Sequence, residues 1–364
     1  MKKFAWFFTL ILISTLVLSA CGAPAATQAP ATPPPATVAP ATQAPTEAPA
    51  ATEAPTATEA PASAEPFKVA VVMPSAKNDL AFSQSMYDAL LRVQEEMGAD
   101  QFEFVFSENM FVVDDAAAAI RDYASQGYNL IIAHGSQYGS SLQEIAPDFP
   151  ETSFAWGTTV DTFGQPNIFA YEAASQEGGF VNGVMAATLS KSNVIGVVGP
   201  IETGDAKLYV GGFKAGVLSV KPDAKVNVNY IGSFSDTALA AEAANTHISA
   251  GADVMTGSAQ MVVGAIGKAK ENNVLWFGTQ SNQASLAPSI VVASQVYHWE
   301  GILKEMIALI QSGTLGGKTF TANLANGGEV IEFNPDSTVA ADAKTLAEQT
   351  IEGIKNGSTK IPLP

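Results

Sequence analysis

Side chains that announce chemistry by their spacing are scarce in this chain of 364 residues. Its one cysteine, Cys21, cannot form an internal disulfide or a cysteine metal site. His134, His247 and His298 lie far apart and match no zinc-ligand spacing. The run Gly199-Pro200-Ile201-Glu202-Thr203-Gly204 has the two glycines of a phosphate loop. It continues Asp205-Ala206 rather than Lys-Ser, so it lacks the ammonium and hydroxyl that such loops aim at phosphates and metal. No Gly-x-Ser-x-Gly nucleophile elbow occurs. With 18 Lys+Arg against 35 Asp+Glu the net charge is −17, which leaves no basic footprint for nucleic acid. The chain therefore reads as a non-enzyme without cofactor or metal. A hydrolase built on a carboxylate pair is the enzyme reading that spacing leaves open.

What remains are groups suited to stacking and hydrogen bonding. Phe82 falls on the apolar face of a helix, where it is either a core ring or a ligand contact. Phe234 follows Gly232-Ser233 in a loop with less reason to be core, and Asp236 behind it reads first as a helix N-cap. Gln280, Asn282 and Gln283 end a strand at the edge of an expected cleft. Gln137 and Tyr138 sit in the loop Gly135-Ser136-Gln137-Tyr138-Gly139 after another strand. Trp299 opens a helix, where it packs or contacts ligand.

The elements that would position these groups alternate. Short β-rich runs at 69–73, 102–106, 130–133, 153–156, 193–198, 226–230, 253–255, 274–277 and 290–296 are separated by helical segments. Phe82, Met86, Ala89, Leu90, Val93 and Met97 share one helix face, which Gly98 terminates. Asp114 is placed as the cap of an alanine-rich helix ending at Gly127, and Asp236 as the cap of one ending near Gly251. Such alternation implies parallel sheets with helices on both faces, and ligands at the carboxyl ends of the strands. The body from Phe67 onward is long enough for two lobes.

The N-terminus is different. Lys2 and Lys3 precede an apolar run over 4–18 that ends Leu18-Ser19-Ala20-Cys21. The run is too short for a comfortable membrane span and reads as an export signal over 1–21. Residues 22–66 contain eleven prolines, no aromatic residue and no Lys or Arg, with Ala-Thr-Gln-Ala-Pro-type units beginning at Ala26, Ala41 and Ala51. A stretch of this composition cannot offset its ordering entropy by burial, so 22–66 reads as a disordered tether. Fully extended it would reach roughly 140 Å at about 3.1 Å per residue. The leader carries two lysines and the tether four glutamates, leaving −15 on the body, a charge that favours a soluble monomer by self-repulsion.

Several local matches together resemble the basic membrane protein family of ABC-transporter binding lipoproteins, which includes purine-nucleoside receptors. The Leu18–Cys21 junction resembles a lipobox. The loop from Met73 through Asn78-Asp79-Leu80-Ala81-Phe82-Ser83-Gln84 resembles the family's first loop. Glu177-Gly178-Gly179-Phe180-Val181-Asn182-Gly183, Gly212-Phe213-Lys214-Ala215-Gly216, the run from Val228 to Asp236, and Gly251-Ala252-Asp253-Val254 are similar to later signatures. The resemblance implies a periplasmic-binding-protein type I fold of two doubly wound α/β lobes joined by three hinge strands. The lobes would be 67–170 with about 297–325, and 171–296 with about 326–364. It implies a lipid on Cys21, placement on the extracytoplasmic face of a bacterial membrane, an ABC permease as partner, and a purine nucleoside or nucleobase as ligand. By position, Phe82 and Phe234 would stack the ligand from the two lobes, with Asn78 and Asp79 in the first loop. Gln137, Tyr138, Asp236, Gln280, Asn282 and Trp299 complete the expected ligand-binding set.

Two departures bear on the ligand. Where the family has Gly-Val-Asp-Ser-Asp-Gln, this chain has Gly278-Thr279-Gln280-Ser281-Asn282-Gln283, so two acids have become amides and the ribose contact weakens. A lysine common after Ser-Met-Val is absent from Val296-Tyr297-His298-Trp299, and a tryptophan there resembles a subgroup that takes nucleobases or related small rings. Two other readings use the same fold: a sensor lipoprotein serving a membrane signalling partner, separable by its neighbouring genes or a pull-down, and a sugar receptor.

Overall fold

The computed structural model describes residues 65–337 and 341–363. The export signal, Cys21 and the tether up to residue 64 lie outside the described residues. From Phe67 onward two six-stranded sheets form, each flanked by helices.

The first sheet contains β1 (Phe67–Val72), β2 (Phe102–Ser107), β3 (Leu130–His134), β4 (Ser153–Gly157), β5 (Ile168–Ala173) and β11 (Thr319–Ala322), in the order β11-β5-β4-β3-β1-β2. All its pairings are parallel. Alternate residues of β1 go to opposite layers. Val69 and Val71 join Phe82, Met86 and Leu90 of α1 (Phe82–Met97) and Leu303 and Met306 of α8 (Glu300–Gln311). Ala70 and Val72 meet Ala116 and Ile120 of α2 (Val113–Ser125) and Leu142 of α3 (Gly139–Ile145). Two-sided burial is what continuous apolar runs in a parallel sheet demand.

The second sheet contains β6 (Val194–Gly199), β7 (Lys225–Tyr230), β8 (Val254–Gly257), β9 (Leu275–Gly278), β10 (Val291–Tyr297) and β12 (Glu329–Phe333), in the order β12-β10-β9-β8-β6-β7. Only β12 among them runs antiparallel to its neighbour. One face carries α4 (Gln176–Leu189), α5 (Gly204–Val220) and α9 (Ala341–Lys355); the other carries α6 (Thr237–Ser249) and α7 (Val262–Glu271). α4 and α5 cross backbone to backbone. A Cβ on Gly183 would lie 2.1 Å from the Phe213 carbonyl oxygen, and one on Gly216 would lie 2.1 Å from that of Phe180, so glycine is obligatory at this crossing.

The chain passes between the sheets three times: from β5 into α4, from β10 into α8, and from β11 into β12. Strands β5, β11 and β12, which the reading above did not anticipate, all flank these passages. The alanine-rich helix also starts earlier than expected. Val112 takes the N-cap position without a side-chain bond, and Asp114 lies inside the first turn beside Asp115. There it interacts with the helix dipole instead of capping an amide. Asp236 does cap α6, its carboxylate accepting the Leu239 N–H at 2.9 Å. No described helix is long and apolar enough to cross a membrane.

Candidate functional site

The carboxyl ends of both sheets face one cleft. From the first sheet it is lined by Pro74 after β1, Phe111 after β2, Gly135 to Gln137 after β3, Thr158 after β4, and Phe82 of α1. From the second come Asp205 and Ala206 after β6, Phe234 after β7, Ala259 and Gln260 after β8, and Gln280 after β9. Of the residues expected from sequence, the cleft thus gathers Phe82, Gln137, Phe234 and Gln280.

Phe82 serves core and cleft at once. Its ring is 8% exposed and belongs to the first core, yet it lines the cleft. It stacks on His134 with centroids 3.8 Å apart and planes at 8°. Nε2–H of His134 donates to the Phe82 carbonyl at 3.0 Å, which leaves Nδ1 to accept from the Tyr171 hydroxyl at 2.7 Å. Burial pushes the imidazole down to about 3, so a neutral ring backs Phe82. Asp79 fixes the same helix start. Its carboxylate accepts the N–H groups of Ala81, Ser83 and Gln84 and the Ser75 hydroxyl, and burial nonetheless raises its pKa.

The remaining expected residues lie outside the cleft lining. Asp79 is spent on the α1 amides, and Asn78 beside it is exposed. Tyr138 is buried and donates to the Met110 carbonyl at 2.7 Å, shaping the loop in which Gln137 sits. Asp236 is a cap. Asn282 is exposed and bonds Glu332 at 2.6 Å and the Ala284 N–H at 2.9 Å. Trp299 is wholly buried, its indole N–H on the Ser85 hydroxyl at 2.9 Å and its ring edge-on to His134, Tyr171 and Tyr297. It forms the layer behind Phe82. Gln283 is buried and ties the two units, donating to the Leu80 carbonyl at 3.2 Å while accepting from the Trp276 indole at 3.0 Å.

The sequence reading missed Asp205. Its Oδ2 accepts from Gln280 Nε2 and the Tyr297 hydroxyl, both at 3.0 Å, and its Oδ1 lies 3.4 Å from the Thr158 hydroxyl. Burial raises its pKa against these donors. No lysine or arginine is among the described residues that line the cleft. Two non-glycine lining residues hold left-handed backbone, Ala259 at φ 68° and Gln280 at φ 69°, a strain that clusters at binding sites.

With the geometry established, comparison with known proteins adds the lineage. The family model described as "ABC transporter substrate-binding protein PnrA-like" matches residues 67–364. The chain belongs to this family. A purine-binding protein of Brucella abortus is 28% identical over 80% of this chain and 82% of its own. An ABC transporter nucleoside-binding protein of Lactococcus lactis is 27% identical over 78% and 86%. Among solved structures, an ABC transporter solute-binding protein from Conexibacter woesei superposes with TM-score 0.67 at 21% identity, covering 82% of this chain and 99% of that one. It shares the two-unit α/β fold. As a PnrA-like protein, the chain is a substrate-binding component of the ABC-transporter class, with a small-molecule ligand and a permease partner. Proteins of that class work on the extracytoplasmic side.

Proposed function

We propose that this PnrA-like protein captures a purine nucleoside or nucleobase between its two α/β units and delivers it to an ABC importer as a monomer. In this reading Cys21 carries the lipid and residues 22–66 tether the body to the outer face of the cell membrane. The observation that carries the ligand class is the placement of Phe82 and Phe234, from opposite units, on one cleft that also holds Asp205 and Gln280. Two rings suit a flat heterocycle, and the carboxylate and amides suit its polar edge. The two relatives with purine- and nucleoside-binding names point the same way. Each sheet with its helices acts as one lobe, and a ligand touching both favours the closed arrangement.

Native mass spectrometry of the body purified from cells, followed by thermal shift, tests the ligand class. Purines or purine nucleosides raise the melting temperature and plain pentoses do not; the reverse pattern makes the protein a sugar receptor. For the anchor, an alkynyl fatty acid labels the wild type and not Cys21→Ala, and equal label on both removes the lipoprotein assignment.

A further inference from the structure

The cleft presents hydrogen-bond acceptors and, among the described residues that line it, no lysine or arginine. Gln280 is 2% exposed. Its Nε2 is fixed on the Asp205 carboxylate at 3.0 Å, so the amide cannot flip without placing oxygen against oxygen. Its Oε1 is left buried with no hydrogen-bond partner among the described residues. Beside it, Asp205 Oδ1 has the long 3.4 Å approach of the Thr158 hydroxyl, and the carboxylate also meets the Ala206 N–H. A buried amide oxygen without a partner is unfavourable, and a buried carboxylate with no cation is more unfavourable still. An arrangement that unfavourable in the empty protein is retained where a ligand completes it.

We propose that Asp205 and Gln280 form a paired-acceptor subsite that reads two adjacent hydrogen-bond donors on the bound solute and excludes phosphorylated forms of it. The inference rests on the purine reading above and deepens it. Two parts of such a solute present adjacent donors: the N–H groups of a base edge and the vicinal hydroxyls of ribose. Either would satisfy Oε1 of Gln280 and Oδ1 of Asp205 together. A phosphate group would bring a second negative charge into a cleft lined by a carboxylate and by no lysine or arginine among the described residues, and like charges at such range repel strongly.

Calorimetric titration of the wild-type chain with adenosine, guanosine, their 2′,3′-dideoxy forms, unsubstituted purine riboside and the 5′-monophosphates tests this. The preferred parent nucleoside loses about tenfold or more in affinity when its donor pair is removed, as expected for hydrogen bonds to a charged group. A loss on removing the diol places ribose on the subsite, and a loss on removing the base donors places the base edge there. Dideoxy and unsubstituted forms binding as tightly as the parents would refute the donor pair. A monophosphate binding within about threefold of its nucleoside would refute the exclusion.

Asp205→Asn, nearly identical in shape, weakens the parent by about tenfold or more while leaving the melting temperature of the ligand-free protein equal or higher, because a buried charge has gone. Gln280→Met, similar in volume, also weakens the parent, while lowering the ligand-free melting temperature because Asp205 loses a donor. A merely structural pair would lower stability and spare affinity, and that result overturns the assignment. If no purine probe binds the wild type, the purine reading itself fails and the inference falls with it. If purines bind and Phe82→Ala weakens them while Asp205→Asn does not, the reading stands and only the subsite is wrong.

Discussion

Glu329 at the start of β12 is fully buried where the three passages between the sheets converge. Its Oε1 accepts from the Gly178 N–H at 2.8 Å and from Gln295 Nε2, while Oε2 has no partner among the described residues. Among the described residues the charged neighbours that act on it are Glu177 and Asp205, both of which repel its charge. Burial first, and those two second, push its pKa from 4.5 to about 8. The sign follows from proton counting. Between about 4.5 and 8 the folded chain holds a proton that the unfolded chain has released, so stability falls as pH rises through that window. Each pH unit there removes about 1.4 kcal/mol, or roughly 4–5 kcal/mol by pH 8.

Glu329→Gln keeps the shape and abolishes the titration. Below pH 4.5 variant and wild type should melt alike. Their separation should then widen with pH and level off near 8, with the variant more stable by roughly 6–8 °C. Paired thermal melts at pH 4.5, 6, 7 and 8.5, spanning that window, read the gap directly. Two melting curves that stay parallel over the whole range would show that Glu329 is not held protonated by its surroundings, and the argument from burial would be wrong.

Two further outcomes follow from the same geometry. Phe82→Ala and Phe234→Ala should each weaken purine binding by roughly 5- to 150-fold, the worth of one aromatic face, and the double variant by less than the product because both rings touch one ligand; calorimetry on all three checks it, and wild-type affinity in Phe82→Ala would leave that ring purely structural. His134, held at about 3 against an ordinary 6.5, should drain stability as pH falls below 6.5, opposite in sign to Glu329. The two contributions offset between about 4.5 and 6.5, so Glu329→Gln, which leaves the His134 contribution alone, should gain stability with pH more steeply than the wild type across that window; equal slopes would contradict the pair.

Much of the fold was legible because apolar runs of strand length alternated with one-sided helices. The heptad-like spacing from Phe82 to Met97 places the buried face of α1 correctly, and Gly98, at φ 88°, ends that helix as expected. The strands that escaped notice have identifiable reasons. β11 is only four residues, and β12 carries Glu329 and Glu332 at positions that alternation assigns to different faces. Glutamate is uncommon within strands, and the neutral state that lets Glu329 lie inside depends on Gln295 and Gly178, 34 and 151 residues away. Asp114 misled because an acid just before an alanine run looks like a cap, whereas the backbone here begins turning at Val113.

Part of the cleft lining was legible, since Phe82, Gln137, Phe234 and Gln280 were expected and line it. Phe234 has no core to join and so stood out. Asp79 and Asp236 have the residue type for ligand contact, but their oxygens are taken by amides only a few residues ahead, a local pattern that could have demoted them. Asp205 could not be seen by the same means. Its neighbours in sequence suggest a failed phosphate loop, while its meaning comes from Thr158, Gln280 and Tyr297, each on a different strand end. Through Tyr297, whose hydroxyl also meets Ser175 at 2.8 Å, Asp205 is joined to two of the three passages between the sheets. Gln295 continues the chain, donating to the Ser175 carbonyl at 3.3 Å and to Glu329 on the third. A donor arriving at Asp205 Oδ1 therefore lands on the carboxylate whose Oδ2 already bonds Gln280 and Tyr297. In the reading proposed above, one side chain thus meets both the solute and the strands that connect the two sheets.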